Sequence, residues 1–241
     1  MKLLAKDDLP TRALVVVAHP DDIDFGVAGT AAVLTAAGAE VIYALCTSGE
    51  AGIPEDMDRE ELKALRQEEQ RKAAAAVGVT DVRFLGMADG ALEYNLDLRK
   101  AISRVIRQVK PDLVIGQSAE RRYDRIFASH PDHLAAGRAT IAAVYPDARN
   151  PHAHTDLLAE GHEPHTVEWL WILGGPEPNL AVDITPQFDR KVTALSSHSS
   201  QVAWIDDVDA LLREWASNAA NKAGVAETAE LVEVFTQVKT H

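Results

Sequence analysis

Residues 15–22 read Val-Val-Val-Ala-His-Pro-Asp-Asp, an apolar run that ends in one imidazole and two carboxylates. Residues 14–18 are all apolar, as in a parallel strand that is buried on both faces of a sheet. Pro20 cannot donate a ladder hydrogen bond, so a central strand must end before it. We therefore expect His19, Asp21 and Asp22 in the loop after the strand, at the edge where open α/β sheets bind their ligands.

The composition of the whole chain excludes several classes of protein. Its 241 residues suffice for one domain, residues 1–241, with a substantial core. The net charge of −13 argues against nucleic acid or an anionic membrane as a partner. No apolar run reaches the ~18 residues of a membrane span, and residues 1–11 lack the apolar core of a signal peptide. The single cysteine, Cys46, excludes an internal disulfide and suits a cytoplasmic location.

Strands and helices alternate in the first half of the chain. Apolar runs predict strands at 14–18, 41–46, 82–85 and 113–116. The segments that follow these strands predict helices at about 25–37, 58–77, 98–109 and 133–144. This alternation is typical of βαβ units, so we expect an α/β fold with a mostly parallel sheet, helices on both faces and right-handed crossovers.

The alternation breaks in the second half of the chain. Residues 145–166 are rich in Pro, Asn, His and Gly and are predicted to form a long loop, a kind of segment that is often functional. We interpret this loop as a lid over a substrate pocket. Residues 169–173 and 180–184 predict two strands around a Gly-Gly-Pro turn, which we interpret as a hairpin on one edge of the sheet.

Helices are expected to close the chain. Two are predicted at about 188–196 and 208–220, and a last amphipathic helix is predicted to end near Val238. The motif-bearing core is then residues 12–145, and residues 146–241 are a C-terminal extension. The apolar C-terminal helix and the hairpin could form an interface, which makes the chain a candidate homo-oligomer.

Two short segments concentrate histidine and carboxylate: His-Pro-Asp-Asp at 19–22 and His-Pro-Asp-His at 130–133. Alone, the first is typical of a solvated turn and the second of a helix N-terminus, where Asp132 is favoured by the dipole. Together, at the same expected edge of one sheet, they favour a metal site. A catalytic Zn²⁺ typically takes three imidazole or carboxylate ligands and keeps one position open. The remaining groups could then serve as acid, base or supporting residues.

These segments also carry a family resemblance. Together with Thr-Ser-Gly-Glu at 47–50, Arg-Gln-Glu-Glu at 66–69 and Ala-Asp-Gly at 88–90, they resemble the PIG-L/LmbE-like zinc-dependent N-deacetylases. The match runs in order from about residue 14 to residue 144. The resemblance implies a Rossmann-like three-layer sandwich. It also implies hydrolysis of an N-acyl group, commonly acetyl, from a small N-acetylglucosamine derivative.

The resemblance also implies roles for residues of both segments. It makes His19, Asp22 and His133 the zinc ligands and Asp21 the general base. The tight turn around Pro20 supports this division, because His19 and Asp22 can bend toward one ion and leave Asp21 free to face a water molecule. Other divalent transition metals can occupy such a site, among them Fe²⁺, Co²⁺ and Ni²⁺.

Four further residues receive roles from the same resemblance. His130 would stabilise the oxyanion or protonate the leaving amine, and Asp132 would orient His130 or a ligand histidine. Arg66 and Asp89 match positions that contact substrate hydroxyls. An ordinary alternative for Arg66 is an ion pair with Glu69 on the same helix, and an ordinary alternative for Asp89 is a turn.

Some residues depart from the family pattern or fall outside it. Some members place a tyrosine where this chain has Ala128, so the proton donor is His130 alone unless Tyr123, in the same loop, reaches the site. The residue after the aspartate pair is Ile23 rather than an acid. His198 is expected to be a hydrogen-bonding residue at a helix end. Four histidines within 152–165 are expected to be surface residues rather than a second metal site.

Other classes of function remain as alternatives. The G-x-G-x-x-G spacing and the G-x-S-x-G elbow are absent, which disfavours a dinucleotide site and a serine hydrolase. A non-catalytic, metal-dependent binding module and an amidase of a larger thiol or glycan conjugate remain open. The sequence does not specify the substrate beyond a small N-acylated molecule.

Overall fold

The computed structural model describes residues 1–54, 56–123 and 126–241, without the side chains of residues 127 and 128. Its strands are β1 (Lys2–Leu3), β2 (Arg12–Val17), β3 (Glu40–Leu45), β4 (Asp81–Phe84), β5 (Leu113–Gln117), β6 (Trp169–Leu173), β7 (Leu180–Asp183) and β8 (Val232–Lys239). Its α-helices are α1 (Asp22–Gly26), α2 (Ala28–Ala36), α3 (Arg59–Ala76), α4 (Leu96–Val109), α5 (Pro131–Ala142), α6 (Thr155–Ala159), α7 (Phe188–Ser196), α8 (Ser199–Val202) and α9 (Val208–Ala223). None of the helices so described is long and apolar enough to cross a membrane.

The described strands form one eight-stranded sheet in the order β1-β7-β8-β6-β5-β2-β3-β4. The central strand β2 is parallel to β3 on one side and to β5 on the other, with Val17 opposite Leu45 and Val16 opposite Gly116. The carboxyl ends of these three strands therefore lie at one edge of the sheet. This edge receives the loop that begins at His19, as the sequence predicts.

Helices cover both faces of the sheet, because side chains of successive strand residues point to opposite faces. Ala13, Val15 and Val17 of β2 belong to a core cluster that also contains buried residues of α2, α3, α7 and α9. Leu14 and Val16 belong to a second cluster, which contains buried residues of α4 and α5. The predicted α/β three-layer architecture, with a mostly parallel sheet, is confirmed.

The predicted C-terminal hairpin and last helix are wrong. Strand β8 occupies the segment predicted as a helix, and it lies between β6 and β7, antiparallel to both. The apolar residues of this segment, at 231, 232, 234, 235 and 238, fit a helical repeat as well as a strand. Its three valines, together with Phe235 and Thr236, favour a strand. A strand in the space between β6 and β7 also has hydrogen-bond partners on both sides.

The 145–166 stretch lies near the amino ends of the parallel strands, whereas His19 follows the carboxyl end of β2. It begins at the far end of α5, about 18 Å of helix from His130. His165 Nε2 lies 2.8 Å from the carbonyl oxygen of Pro111, just before β5. Arg107 of α4 donates to carbonyl oxygens within the stretch, those of Asp147, Ala148, Asn150 and Ala153. These contacts hold the stretch against α4, so its interpretation as a lid is wrong.

Candidate active site

The two histidine segments meet at the carboxyl edge of the sheet. His19 Nδ1 lies 3.2 Å from His133 Nε2, across 114 residues of sequence. The Asp22 carboxylate faces both rings, with Oδ1 3.0 Å from His133 Nε2 and Oδ2 3.4 Å from His19 Nδ1. The structure therefore brings together the three residues predicted as zinc ligands.

Local backbone features place these side chains. Asp21 has φ 83° and ψ −30°, and this turn lets α1 begin at Asp22, two residues after Pro20. The Asp22 Oδ2 then accepts a hydrogen bond from the His19 N–H at 2.8 Å. On the other segment, His130 caps the N-terminus of α5, and Pro131 suits the first helical position because no partner for an N–H is needed there.

The site concentrates negative charge around His19. Burial lowers the pKa of His19, but hydrogen bonds with Asp132, Asp22 and Asp89 outweigh it and raise that pKa to about 12. Burial alone would raise the pKa of Asp22, yet the facing His133 and His19 bring it well below its usual value. Without a metal, the carboxylates thus stabilise a proton on His19. A divalent cation could balance the negative charge of the same carboxylates.

Asp132 and Asp89 both act on the second nitrogen of His19. The Nε2 atom lies 3.0 Å from Asp89 Oδ1 and 3.2 Å from Asp132 Oδ2. Backbone N–H groups of Gly90 and Leu92 donate to the Asp132 carboxylate. Carboxylates on one imidazole nitrogen fix the tautomer that leaves the other nitrogen free to bind a metal. The structure therefore places both carboxylates against His19.

Arg66 is buried against the Asp21 loop. It donates to Asp21 Oδ2 at 2.9 Å and to the carbonyl oxygens of Pro20 and Gly49, both at 2.8 Å. Burial raises the pKa of Asp21 to about 6, with Arg66 lowering it and Asp22 raising it. The ion pair of Arg66 with Glu69 is wrong, because Glu69 binds Ser199 and Ser200 instead. The substrate contact of Arg66 stays a prediction.

His130 contributes a neutral imidazole beside the other two rings. Its ring centroid lies 5.1 Å from that of His19 and 5.3 Å from that of His133. Its Nδ1 accepts a hydrogen bond from the Asp132 N–H at 3.3 Å, which places the ring proton on Nε2. Burial and the neighbouring His19 and His133 lower the pKa of His130. The side chain is therefore suited to donate a hydrogen bond while uncharged.

Among the described residues, three sets could hold a metal ion: His19 with His130 and His133, His19 with Asp89 and Asp132, and the predicted set of His19, Asp22 and His133. One nitrogen each of His19, His130 and His133 lies within 4.8 Å of the others. In the predicted set, with Asp22 instead of His130, the neighbouring donor atoms are 3.0 to 3.4 Å apart. Tetrahedral zinc with bonds of about 2.0–2.1 Å separates its ligand atoms by about 3.3 Å. The spacing of the set with Asp22 suits zinc, and this set leaves His130 Nδ1 to its bond with the Asp132 N–H.

The remaining predicted residues lie outside this cluster. Tyr123 is 85% exposed, which does not support a role in the site. Ala128 is among the residues whose side chains are not described. Three histidines of the 145–166 stretch have other partners: His154 faces Asp147, His162 faces Gln108, and His165 faces the Pro111 carbonyl oxygen. His152 is exposed.

Sequence reasoning missed Gln70, which accepts a hydrogen bond from the Asp21 N–H at 3.0 Å. Its position was the available signal, because it follows Arg66 by four residues on the predicted helix and so lies on the same face. The buried face of α3 indeed includes Leu62, Arg66, Glu69, Gln70 and Ala73.

Fold and site together define an α/β protein with a candidate metal centre of histidines and carboxylates at the carboxyl edge of its sheet. Residues 14–144 match the family model described as PIG-L, GlcNAc-PI de-N-acetylase. The chain belongs to this family, which confirms the resemblance seen in the sequence.

Relatives and solved structures are similar over most of the chain. This chain is 33% identical over 191 residues to a diacetylchitobiose deacetylase of Thermococcus kodakarensis, and the match covers 79% of this chain and 70% of the relative. It is 32% identical over 230 residues to a probable N-acetyl-alpha-D-glucosaminyl L-malate deacetylase 2 of Bacillus anthracis, covering 92% of each. The crystal structure of an N,N'-diacetylchitobiose deacetylase from Pyrococcus horikoshii superimposes with a TM-score of 0.84 at 28% identity, covering 95% of this chain and 84% of that one.

Proposed function

We propose that this protein is a zinc-dependent N-deacetylase that removes an acetyl group from a small amino-sugar derivative. The observation that carries the proposal is the group formed by His19, Asp22 and His133 at zinc-ligand spacing, next to the partly buried carboxylate of Asp21. Family membership supports the same activity, and the named relatives are deacetylases of amino sugars.

His19 Nδ1, His133 Nε2 and the Asp22 carboxylate would hold the zinc ion. When bound, zinc polarises a carbonyl oxygen and lowers the pKa of water toward ~7. Asp89 and Asp132 keep the His19 proton on Nε2, so the Nδ1 lone pair points to the ion. These two carboxylates thus act as positioning groups, and this role replaces the substrate contact predicted for Asp89.

Asp21 takes the proton from the attacking water. Arg66 binds its Oδ2, so we assign proton acceptance to Oδ1. A carboxylate with a pKa of about 6 is ionised at neutral pH and is a stronger base than an exposed aspartate. Arg66 therefore supports the base, a role that differs from the substrate contact predicted for it.

His130 serves the other side of the reacting amide. Its Nε2–H can donate a hydrogen bond to the carbonyl oxygen as negative charge develops there. The leaving amine would take the proton that Asp21 accepts from the water, because a neutral imidazole that lost its Nε2 proton would become an anion. Because Asp21 and His130 both stand beside the ligand group, a non-catalytic binding module is disfavoured.

The cellular setting stays a prediction. We infer a cytoplasmic location, which the single buried thiol of Cys46 supports. One domain over residues 1–241 is supported by the sheet, which includes strands from both ends of the chain. Homo-oligomerisation also stays a prediction.

The test is release of free amine from a panel of N-acetyl amino sugars by zinc-loaded protein. We expect turnover by the unmodified chain, retained zinc but at least about 100-fold slower turnover in Asp21→Ala, and loss of zinc in His19→Ala. Asp209→Ala is the matched control, because Asp209 pairs with Arg213 on the exposed surface of α9. Turnover of Asp21→Ala close to that of Asp209→Ala would contradict the assignment of Asp21.

A further inference from the structure

A buried chain of hydrogen bonds connects the backbone of Asp21 to a histidine outside both histidine segments. Gln70 Oε1 accepts from the Asp21 N–H, and Gln70 Nε2 donates to Asp24 Oδ2 at 2.9 Å. His198 Nε2 lies 2.7 Å from the same oxygen. Gln70, Asp24 and His198 are fully buried, and we call these three residues the support network.

Hydrogen-bond chemistry allows one arrangement of this network. An ionised carboxylate only accepts, so the Gln70 amide nitrogen and His198 Nε2 must both donate to Asp24. The Gln70 oxygen is then the atom that faces the Asp21 N–H. Burial lowers the pKa of His198, but the bond to Asp24 outweighs it and raises that pKa.

Asp21 has a backbone conformation that needs such support. Its φ of 83° is sparsely populated by residues with a side chain and persists only where surrounding contacts hold it. Arg66 holds the carboxylate, and Gln70 holds the backbone N–H of the same residue. Both contacts come from one face of α3, whereas Asp24 and His198 come from two other parts of the chain.

We propose that Gln70, Asp24 and His198 are positioning residues that hold Asp21 in this conformation, so that its carboxylate faces the attacking water. The inference rests on the proposed role of Asp21 as general base. His198 also has a fixed anchor, because Glu69 of α3 binds Ser199 and Ser200 immediately after it. The network therefore joins the α7–α8 junction to the base through α3.

The first test compares Gln70→Leu with Gln67→Leu. Gln67 is a matched control on the same helix, where it donates to Ser48 Oγ at 2.8 Å. We expect Gln70→Leu to bind zinc as the unmodified protein does and to keep KM within about threefold. Its kcat per bound zinc should fall about 10- to 100-fold, the usual effect of removing a group that orients a catalytic residue. Gln67→Leu should stay within about threefold of the unmodified protein.

The second test asks for rescue at His198. The amide nitrogen of a glutamine can reach the position of His198 Nε2 and donate to Asp24, whereas leucine cannot. We expect His198→Gln to keep kcat per bound zinc within about threefold and His198→Leu to lose at least about tenfold. A merely structural role would lower yield and thermal stability in both variants without separating their kcat values.

Several outcomes would overturn the inference. One is an equal fall in kcat per bound zinc in Gln70→Leu and Gln67→Leu. A second is a fall in the activity of Gln70→Leu that is explained by its lower zinc content. A third is an equal kcat per bound zinc in His198→Gln and His198→Leu. If the unmodified protein releases amine from no N-acetyl amino sugar, the proposed function has failed. A crystal structure of Gln70→Leu then decides the inference: departure of Asp21 from positive φ supports it, and an unchanged Asp21 overturns it.

Discussion

Replacing Arg66 with methionine should move the acid limb of the pH–rate profile to higher pH. Arg66 Nη2 lies 2.9 Å from Asp21 Oδ2, and their side chains are 5% and 18% exposed, so the pair is poorly screened by solvent. An arginine beside an aspartate lowers its pKa by about 1–3 units. Without that charge, the pKa of Asp21 should rise from about 6 toward about 7 to 9.

The sign and size of the rate effect follow from the role of Asp21 as a base. Asp21 accepts a proton only when ionised, so a higher pKa removes activity at pH values where the unmodified protein is still active. At pH 7 the ionised fraction falls from about nine-tenths to between about one-half and one-hundredth. The rate should therefore drop by about 2- to 100-fold at pH 7 and recover in alkaline solution.

The assay is kcat/KM for amine release across pH 5 to ~10, with zinc content measured in every sample. Arg66→Lys is the matched control, because it keeps the charge beside Asp21 while losing the guanidinium fork. Its acid limb should stay within about one unit of the original. An Arg66→Met profile lowered by the same factor at every pH, with an unmoved acid limb, would refute the reasoning and restore the substrate-binding interpretation of Arg66.

Two further predictions concern stability. Burial raises the pKa of Asp147, but hydrogen bonds with Arg99 and His154 outweigh it and lower that pKa. The ionised carboxylate therefore stabilises the fold above the unfolded pKa of ~4, and this stabilisation is lost as pH falls through the folded pKa. Asp147→Asn should cost about 1.5–3 kcal/mol at pH 7 and much less near pH 2, as measured by urea unfolding; an equal cost at both values would contradict the linkage. Lys191→Met should cost about 3–5 kcal/mol, because it leaves Glu233, 2.5 Å away, buried without its cation. Adding Glu233→Gln should restore part of that stability, and a single variant as stable as the original protein would show that the pair is dispensable.

The sequence could predict that His19, Asp22 and His133 lie close together, because their proximity follows from the topology of the sheet. A parallel sheet places the ends of β2 and β5 at one edge, and α5 begins there with His130 at its N-cap and His133 in its first turn. The partners of individual side chains could not be predicted in the same way. Asp132 and Asp89 turn to His19 because loop backbone groups, such as the Gly90 and Ala51 N–H, fix both carboxylates. No local pattern encodes such long-range contacts.

The errors in the second half of the chain have a similar origin. The spacing of apolar residues in the 231–238 segment fits both the 3.6-residue period of a helix and the two-residue period of a strand. The segment forms a strand because β6 and β7 offer hydrogen-bond partners on both sides. His198 is the hydrogen-bonding residue at a helix end that the sequence predicts, but its partner Asp24 lies 174 residues earlier and could not be predicted. Interactions of this kind depend on the assembled core.

The most direct test of the account is the location of the metal by anomalous diffraction at the zinc edge, in crystals of the zinc-loaded protein. We expect one zinc ion within about 2.0–2.2 Å of His19 Nδ1, His133 Nε2 and a carboxylate oxygen of Asp22, with Asp21 and His130 beside it but not bound. A zinc ion held by the three imidazoles of His19, His130 and His133, or bound directly by Asp21, would contradict it.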